Sequence, residues 1–451
     1  MTNTTDNPLF YQTNSVTPMV SRARGIYIWD DSDKEYIDAA SGAIICNIGH
    51  GDEKILEAVN EQAKSTFFTY RTQFENRPAV DLASKIVAHS PPLLDKVFYV
   101  SGGSEAVESA IKLARSYFYS RGEGSRHLLI SRAPSYHGST LGALSCTSYA
   151  PLEMPYRPLL KSPPKIPAPY CYRCQYGLTY PECEVACAMA LETTIREQGE
   201  ENVAGFIAEP IGGASTGALV PPEEYFGIIR EICDKYGILL ILDEVMTGFG
   251  RTGKLFASEH WNLEPDIVAL SKGMASGYYP LGAIISRNSI VESVLDGGGF
   301  PHGHTYAGNP MACAVGLAVL NRILDDQLVA NSAAMGTRLL DGLHRLAKDY
   351  PVIGQVRGRG LLTALEFVED RATAAPFANE KDVGNLMTRE AFQRGLIIYP
   401  RRSINGIAGD HTLIAPPLIT TAPQIDEILN RLDDTLKSVS RTLASPANNG
   451  R

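Results

Sequence analysis

Two short segments of the 451-residue chain place reactive side chains at the ends of apolar runs. Ser271-Lys272-Gly273 follows the run at 266–270. A lysine at a strand end, flanked by Ser and Gly, is partly desolvated, so its pKa falls and its neutral amine can form a Schiff base. The alternative is a solvent-exposed lysine, the commoner state for this residue type. Asp243-Glu244 follows ILLIL at 238–242. That position puts a carboxylate at the carboxyl end of a central strand, where open α/β sheets bind ligands. A buried acid needs a partner, and a protonated pyridine nitrogen is one that the ion pair keeps charged. The alternative is an aspartate capping the following turn.

Three further segments supply binding groups. Val100-Ser101-Gly102-Gly103-Ser104-Glu105 ends a strand, turns on two glycines and opens a helix. Free N–H groups and the positive end of the helix dipole then point at one spot, a natural cradle for phosphate; an ordinary βα turn with a Ser cap is the plainer reading. Tyr136-His137-Gly138 offers an aromatic face able to stack on a planar ring, or a core tyrosine in a loop. The stretch from His302 to Pro310 is a Gly-, Thr- and Asn-rich loop whose Thr305 hydroxyl reaches either a phosphate or a local turn bond. Its two histidines lack an acidic partner at ligand spacing, so no metal is expected there. Gly248-Phe249-Gly250-Arg251-Thr252-Gly253 formally matches G-x-G-x-x-G. The run DEVMT separates it from the strand, and no acid ends a second strand about 20 residues on, so nicotinamide dinucleotide binding is only a remote alternative.

Elements that hold these groups are legible as alternating β and α patterns. Runs at 96–100, 203–208, 238–242 and 266–270 are nearly continuously apolar, as strands of a parallel sheet covered on both faces should be. After the Gly-Gly turn, Val107, Ala110, Ile111, Ala114 and Phe118 share one helical face. The reading is an α/β fold with a mostly parallel central sheet. A large domain spans 66–330, and a smaller α+β domain is built from both chain ends, with 1–65 joining 331–451. Residues 445–451 read as a frayed tail.

Composition narrows the class. Hydrophobic residues make up 44% and charged residues 20%, with a net charge of −9 and no basic block, so nucleic-acid binding is not expected. The N-terminus lacks a basic n-region and an apolar h-region, and no apolar run approaches the roughly 20 residues of a membrane helix. A cytoplasmic, membrane-free protein is the expectation. Eight cysteines are too few for a secreted disulfide scaffold of this length.

Taken together, SGGSEAVESAIKLAR, SYHGST, AEPI, LDEVMTGFGRTG, ALSKGMASGYYPLGA, HTYAGNPMACA and APPLITT resemble the class III aminotransferases, of fold type I among pyridoxal-phosphate enzymes. The resemblance runs over about residues 25–421. It implies that Lys272 binds the cofactor covalently and moves the substrate's α-proton, and that Asp243 pairs with the pyridine nitrogen. Val245 would pack under the ring and Tyr136 above it, with His137 beside it. Gly103 and Ser104 would form the phosphate turn, and Glu209 would line the site. Thr305 would reach the phosphate of the neighbouring subunit, which implies a homodimer, with a tetramer left open. Many members carry Gln where Met246 stands and Ser where Gly102 stands. A thioether cannot donate a hydrogen bond, so the ring hydroxyl must find another partner.

The implied reaction moves an amino group from an amine or ω-amino acid to a 2-oxo acid such as pyruvate or 2-oxoglutarate. Racemases or epimerases, aminomutases and amine lyases share the same machinery and remain alternatives. Arg401 and Arg402 lie where members bind a substrate carboxylate, a good match for a guanidinium, or else are solvated loop charges. Ile44, with Ala43, is expected to line the substrate pocket. Cys171, Cys174, Cys183 and Cys187 form C-x2-C-x8-C-x3-C. That spacing permits a four-thiolate zinc site, a labile disulfide, or a surface excursion with free thiols.

Overall fold

A computed structural model describes residues 8–10, 17–401 and 409–444. Its largest sheet has seven strands in the order Lys96–Val100, Gly282–Ser286, Ile267–Leu270, Leu239–Asp243, Val203–Ala208, Leu128–Ala133 and Lys165–Pro167. Gly282–Ser286 runs antiparallel to both of its neighbours, and the remaining pairs are parallel. Every residue of Val203–Ala208 and Leu239–Asp243 is buried, as strands covered on both faces require. Side chains alternate between two apolar layers. Leu239 and Ile241 join the cluster that buries Val107, Ala110, Ala114 and Phe118 of the helix Gly103–Ser120. Leu240 and Leu242 face the larger cluster on the other side, which takes in Val315, Val319 and Ile323 of the helix Pro310–Asp325.

Both chain ends build the smaller layer. Val20–Arg24, Tyr27–Asp30 and Glu35–Asp38 form an antiparallel meander. Leu396–Ile397 completes that sheet in parallel, with Leu396 opposite Ile37. A second four-stranded sheet runs Ile353–Arg359, Leu362–Phe367, His411–Ile414, Tyr399–Arg401, antiparallel throughout. The helix Leu328–Asp349 packs tightly here: a Cβ added at Gly336 would lie 2.2 Å from the Gly360 carbonyl oxygen.

The G-x-G-x-x-G match has a structural role. It lies in a run of turns, with no helix opening behind it, and Arg251 is fully buried. One guanidinium nitrogen donates to the carbonyls of Leu361, at 3.1 Å, and Pro416, at 2.5 Å. The other donates to Ser41 Oγ at 3.2 Å and Asn47 Oδ1 at 2.8 Å. Arg251 thus ties the N-terminal segment, the large sheet's loops and the C-terminal unit together. Burial lowers its pKa to about 10. A loop closed around a buried arginine is no dinucleotide cradle, which removes the nicotinamide reading. Among the described residues no helix is long and apolar enough to cross a membrane.

Candidate active site

Five strands deliver their following residues to one edge of the large sheet, the carboxyl ends, where open α/β sheets bind ligands. Gly103 and Ser104 follow Lys96–Val100, Tyr136 and His137 follow Leu128–Ala133, and Glu209 follows Val203–Ala208. Asp243 closes its own strand, and Lys272 comes two residues after Ile267–Leu270. These residues, with Ile211, Val245, Met246 and Thr247, line one cleft of about 600 Å³, counting the solvent at its mouth.

Asp243 is 5% exposed. Its Oδ1 accepts the Val245 N–H at 3.1 Å, and its Oδ2 lies 2.8 Å from His137 Nδ1. The backbone N–H of His137 donates to Thr147 Oγ1 at 2.8 Å, which anchors the main chain beneath the ring. The His137–Asp243 contact joins two residues far apart in sequence, and no local pattern announces it. Glu209 is buried too: its Oε1 accepts the Gly213 N–H at 2.8 Å and its Oε2 the Tyr136 N–H at 3.3 Å. Burial pushes its carboxyl up, opposed by the charges of His137 and Arg132. Arg132, which the sequence reading passes over, donates to the Glu209 carbonyl.

Lys272 sits in the left-handed region, with φ +42°. Burial lowers its amine to about 8, against the opposing pull of Asp243 and Glu209 and with help from Arg401 and Arg251. Strain of this kind persists where surrounding structure over-determines it.

The helix Gly103–Ser120 starts from extended Gly102, φ −170°, with no side chain capping it. Its first N–H groups therefore point toward the cleft with the positive end of the dipole. Ser104 Oγ accepts the Ser139 N–H at 3.0 Å, and Tyr136 OH lies 3.1 Å from Ser139 Oγ. Val245 presses on the helix start so closely that a Cβ at Gly103 would lie 2.7 Å from its Cγ1. Met246 turns its sulfur toward Gly213, beside Glu209.

Other expected residues fall outside the cleft wall. Ile44 is 1% exposed and packs with Ile211 and Met246, so it stands behind the lining instead of in it, while Ala43 is exposed. Ile44 takes a positive φ of 57°. Arg401 stacks on the Tyr399 ring at 4.3 Å and donates to the Pro400 carbonyl at 3.2 Å. Its charge reaches Lys272. Arg402 lies outside the described residues, as does the tail at 445–451. Thr305 is exposed on a turn ahead of the Asn309 cap. His302 lies 2.8 Å from Ser109 Oγ and His304 3.7 Å from Glu105, so both loop histidines brace the helix Gly103–Ser120.

The comparisons agree with this architecture. The family profile for class-III aminotransferases matches residues 10–436. An uncharacterized aminotransferase of Bacillus subtilis, YodT, is 38% identical over 95% of this chain and 97% of its own. A putrescine–pyruvate aminotransferase of Pseudomonas aeruginosa is 36% identical, over 93% and 91% of the two chains. The omega transaminase of Pseudomonas jessenii, solved in complex with PMP, superposes with a TM-score of 0.91 at 32% identity, over 97% of each chain. The chain belongs to the class III aminotransferases, enzymes of fold type I that use pyridoxal phosphate and transfer amino groups.

Proposed function

We propose that this aminotransferase moves the amino group of a terminal amine or ω-amino acid to a 2-oxo acid such as pyruvate or 2-oxoglutarate, on pyridoxal phosphate held in the cleft at the sheet's carboxyl edge. The observation that carries this reading is the convergence of a lowered lysine, a buried carboxylate and an uncapped helix start in one cleft. When bound, pyridoxal phosphate supplies an electron sink for charge developing at the substrate carbon.

Each group of the chain has a matching task. The N–H groups at Gly103 and Ser104, with the helix dipole, bind a phosphate dianion. Asp243, oriented by the Val245 N–H and by His137, holds a proton on a ring nitrogen by ion pairing. Lys272, whose burial lowers its amine to about 8, would hold the cofactor, and the same amine is placed to move a proton at a substrate carbon. Tyr136 and Val245, which line the same cleft, would hold the ring between them. Arg401 is the residue we assign to a substrate carboxylate, its fork suited to two parallel hydrogen bonds. Ile211, Val245 and Met246 make the wall apolar, which suits an uncharged amine-bearing chain. The named activity of the Pseudomonas aeruginosa relative, on putrescine and pyruvate, is consistent with such a donor. Two chains form the working unit, Thr305 of each reaching its neighbour's phosphate.

The test is an absorption spectrum of the purified holoenzyme, taken with single amines and no acceptor. Conversion of the cofactor to its amine form by terminal amines, reversed by a 2-oxo acid, is expected. Conversion by α-amino acids alone overturns the donor assignment.

A further inference from the structure

We infer that Cys171, Cys174, Cys183 and Cys187 are the ligands of one structural zinc ion, outside the catalytic cleft. All four line a single pocket, together with Tyr170, Leu178 and Pro222. Their spacings, two residues within the first pair and three within the second, fall within those of thiolate zinc sites.

Local backbone turns each pair inward. After Cys174 the chain bends at Gly177, whose φ is +66° and whose N–H donates to the Cys174 carbonyl at 3.0 Å. Between Cys183 and Cys187, Glu184 and Val185 both take positive φ, at 47° and 53°. A β-branched residue there is strained, and the strain places Cys187 in the first turn of the helix Ala186–Gln198.

The lining favours a thiophilic ion over water. A buried water needs two to four polar partners, and three of the polar side chains lining the pocket are engaged elsewhere. Tyr170 donates to Glu366, Tyr180 OH lies 3.0 Å from Glu224 Oε2, and Gln175 donates to the Ala133 carbonyl at 2.7 Å. The four sulfurs remain, with Tyr176, backed by prolines and Leu178. No three of the sulfurs stand within 4.8 Å of one another, whereas zinc–sulfur bonds of about 2.3 Å require separations of about 3.8 Å. One χ1 step sweeps a cysteine sulfur through about 3 Å, the order of movement that closing the set around the ion requires.

The segment also braces the cleft. Arg173, between the first two ligands, donates to Glu366 Oε1 at 2.5 Å. Glu366 in turn holds Arg357, which donates to the carbonyls of Thr216 and Gly217 in the loop that follows Glu209.

The experiment is elemental analysis of full-length holoenzyme expressed with zinc in the medium and purified without added metal or chelator. About one zinc per chain is expected, lost in Cys171→Ser/Cys174→Ser and kept in Cys46→Ala. The last variant removes a ligand from Asp38, Cys46 and His50, the one cluster among the described residues whose ligand atoms already lie within 4.8 Å of one another. Zinc absent from the wild type, or retained by the double variant, overturns the assignment. Should the double variant not fold, cobalt exchanged into the wild type decides. The strong absorption of tetrahedral cobalt–thiolate is expected, and a weak octahedral spectrum, or two disulfides by intact mass, overturns it.

Discussion

Lys272 answers two opposing demands: it must lose its proton near neutral pH and yet stay in a cleft beside two carboxylates. Burial wins, and the amine titrates near 8 instead of 10.5. Between those values the unfolded chain binds more protons than the folded one, so stability rises with pH across that window, and the cost is present in full below it. Denaturant unfolding of the cofactor-free enzyme at both ends of the window, against Lys272→Met, checks this: the substitution should flatten the rise. Gly102 makes a second prediction. Its backbone is extended, and a Cβ there meets nothing within 4 Å. Gly102→Ser should therefore cap the helix, for a gain of a few tenths of a kcal/mol, and add a hydroxyl toward the phosphate, so that cofactor titration gives tighter half-saturation. The placement of Asp243 at the end of an apolar strand, and of Lys272 two residues past another, was legible from the apolar runs. The grip of His137 on Asp243 was not, because a pairing across 106 positions leaves no periodic trace. The packing of Ile44 against Ile211 and Met246 was not legible either, because those contacts come from loops far along the chain.

Among the elements, the helix Leu328–Asp349 depends on one missing methyl group. Gly336 lies against the backbone of Gly360, and a Cβ there would come within 2.2 Å of its oxygen. Gly336→Ala should raise local helix propensity yet lower stability by about 1–3 kcal/mol, because backbone cannot yield as a side chain can; a thermal melt gives the sign. The central strands Val203–Ala208 and Leu239–Asp243 could be read from sequence as continuous apolar runs. Lys165–Pro167 could not, being three residues that end in proline. The antiparallel direction of Gly282–Ser286 also escaped, since an apolar run carries no sign of which way it enters a sheet. In the G-x-G-x-x-G match the glycines were legible and the buried arginine's four acceptors were not, since these come from residues 41, 47, 361 and 416.

At the scale of the whole molecule, the exposed Thr305 turn adjoins an aromatic surface. Phe68 is 43% and Tyr306 66% exposed, their rings 5.9 Å apart, and Phe67, next to Phe68 in the chain, is 60% exposed. Contiguous apolar surface of this kind marks an interaction site. If two chains share their sites there, Lys272→Ala and Thr305→Ala, refolded together, should recover about a quarter of wild-type turnover at limiting cofactor, from hybrids with one intact site. Sites complete within one chain would yield only the mean of the two parents. The pairing of Leu396–Ile397 with Glu35–Asp38 also sets an order of assembly during synthesis. The N-terminal meander leaves the ribosome first, with the edge at Ile37 unpaired, and its partner strand emerges only after the whole large sheet. At about 5–20 residues per second that interval is tens of seconds, during which an open edge can pair with the wrong chain. The last strand to be translated into that sheet is thus the one that ends its exposure, and a nascent chain stalled before Leu396 is the form most in need of a chaperone.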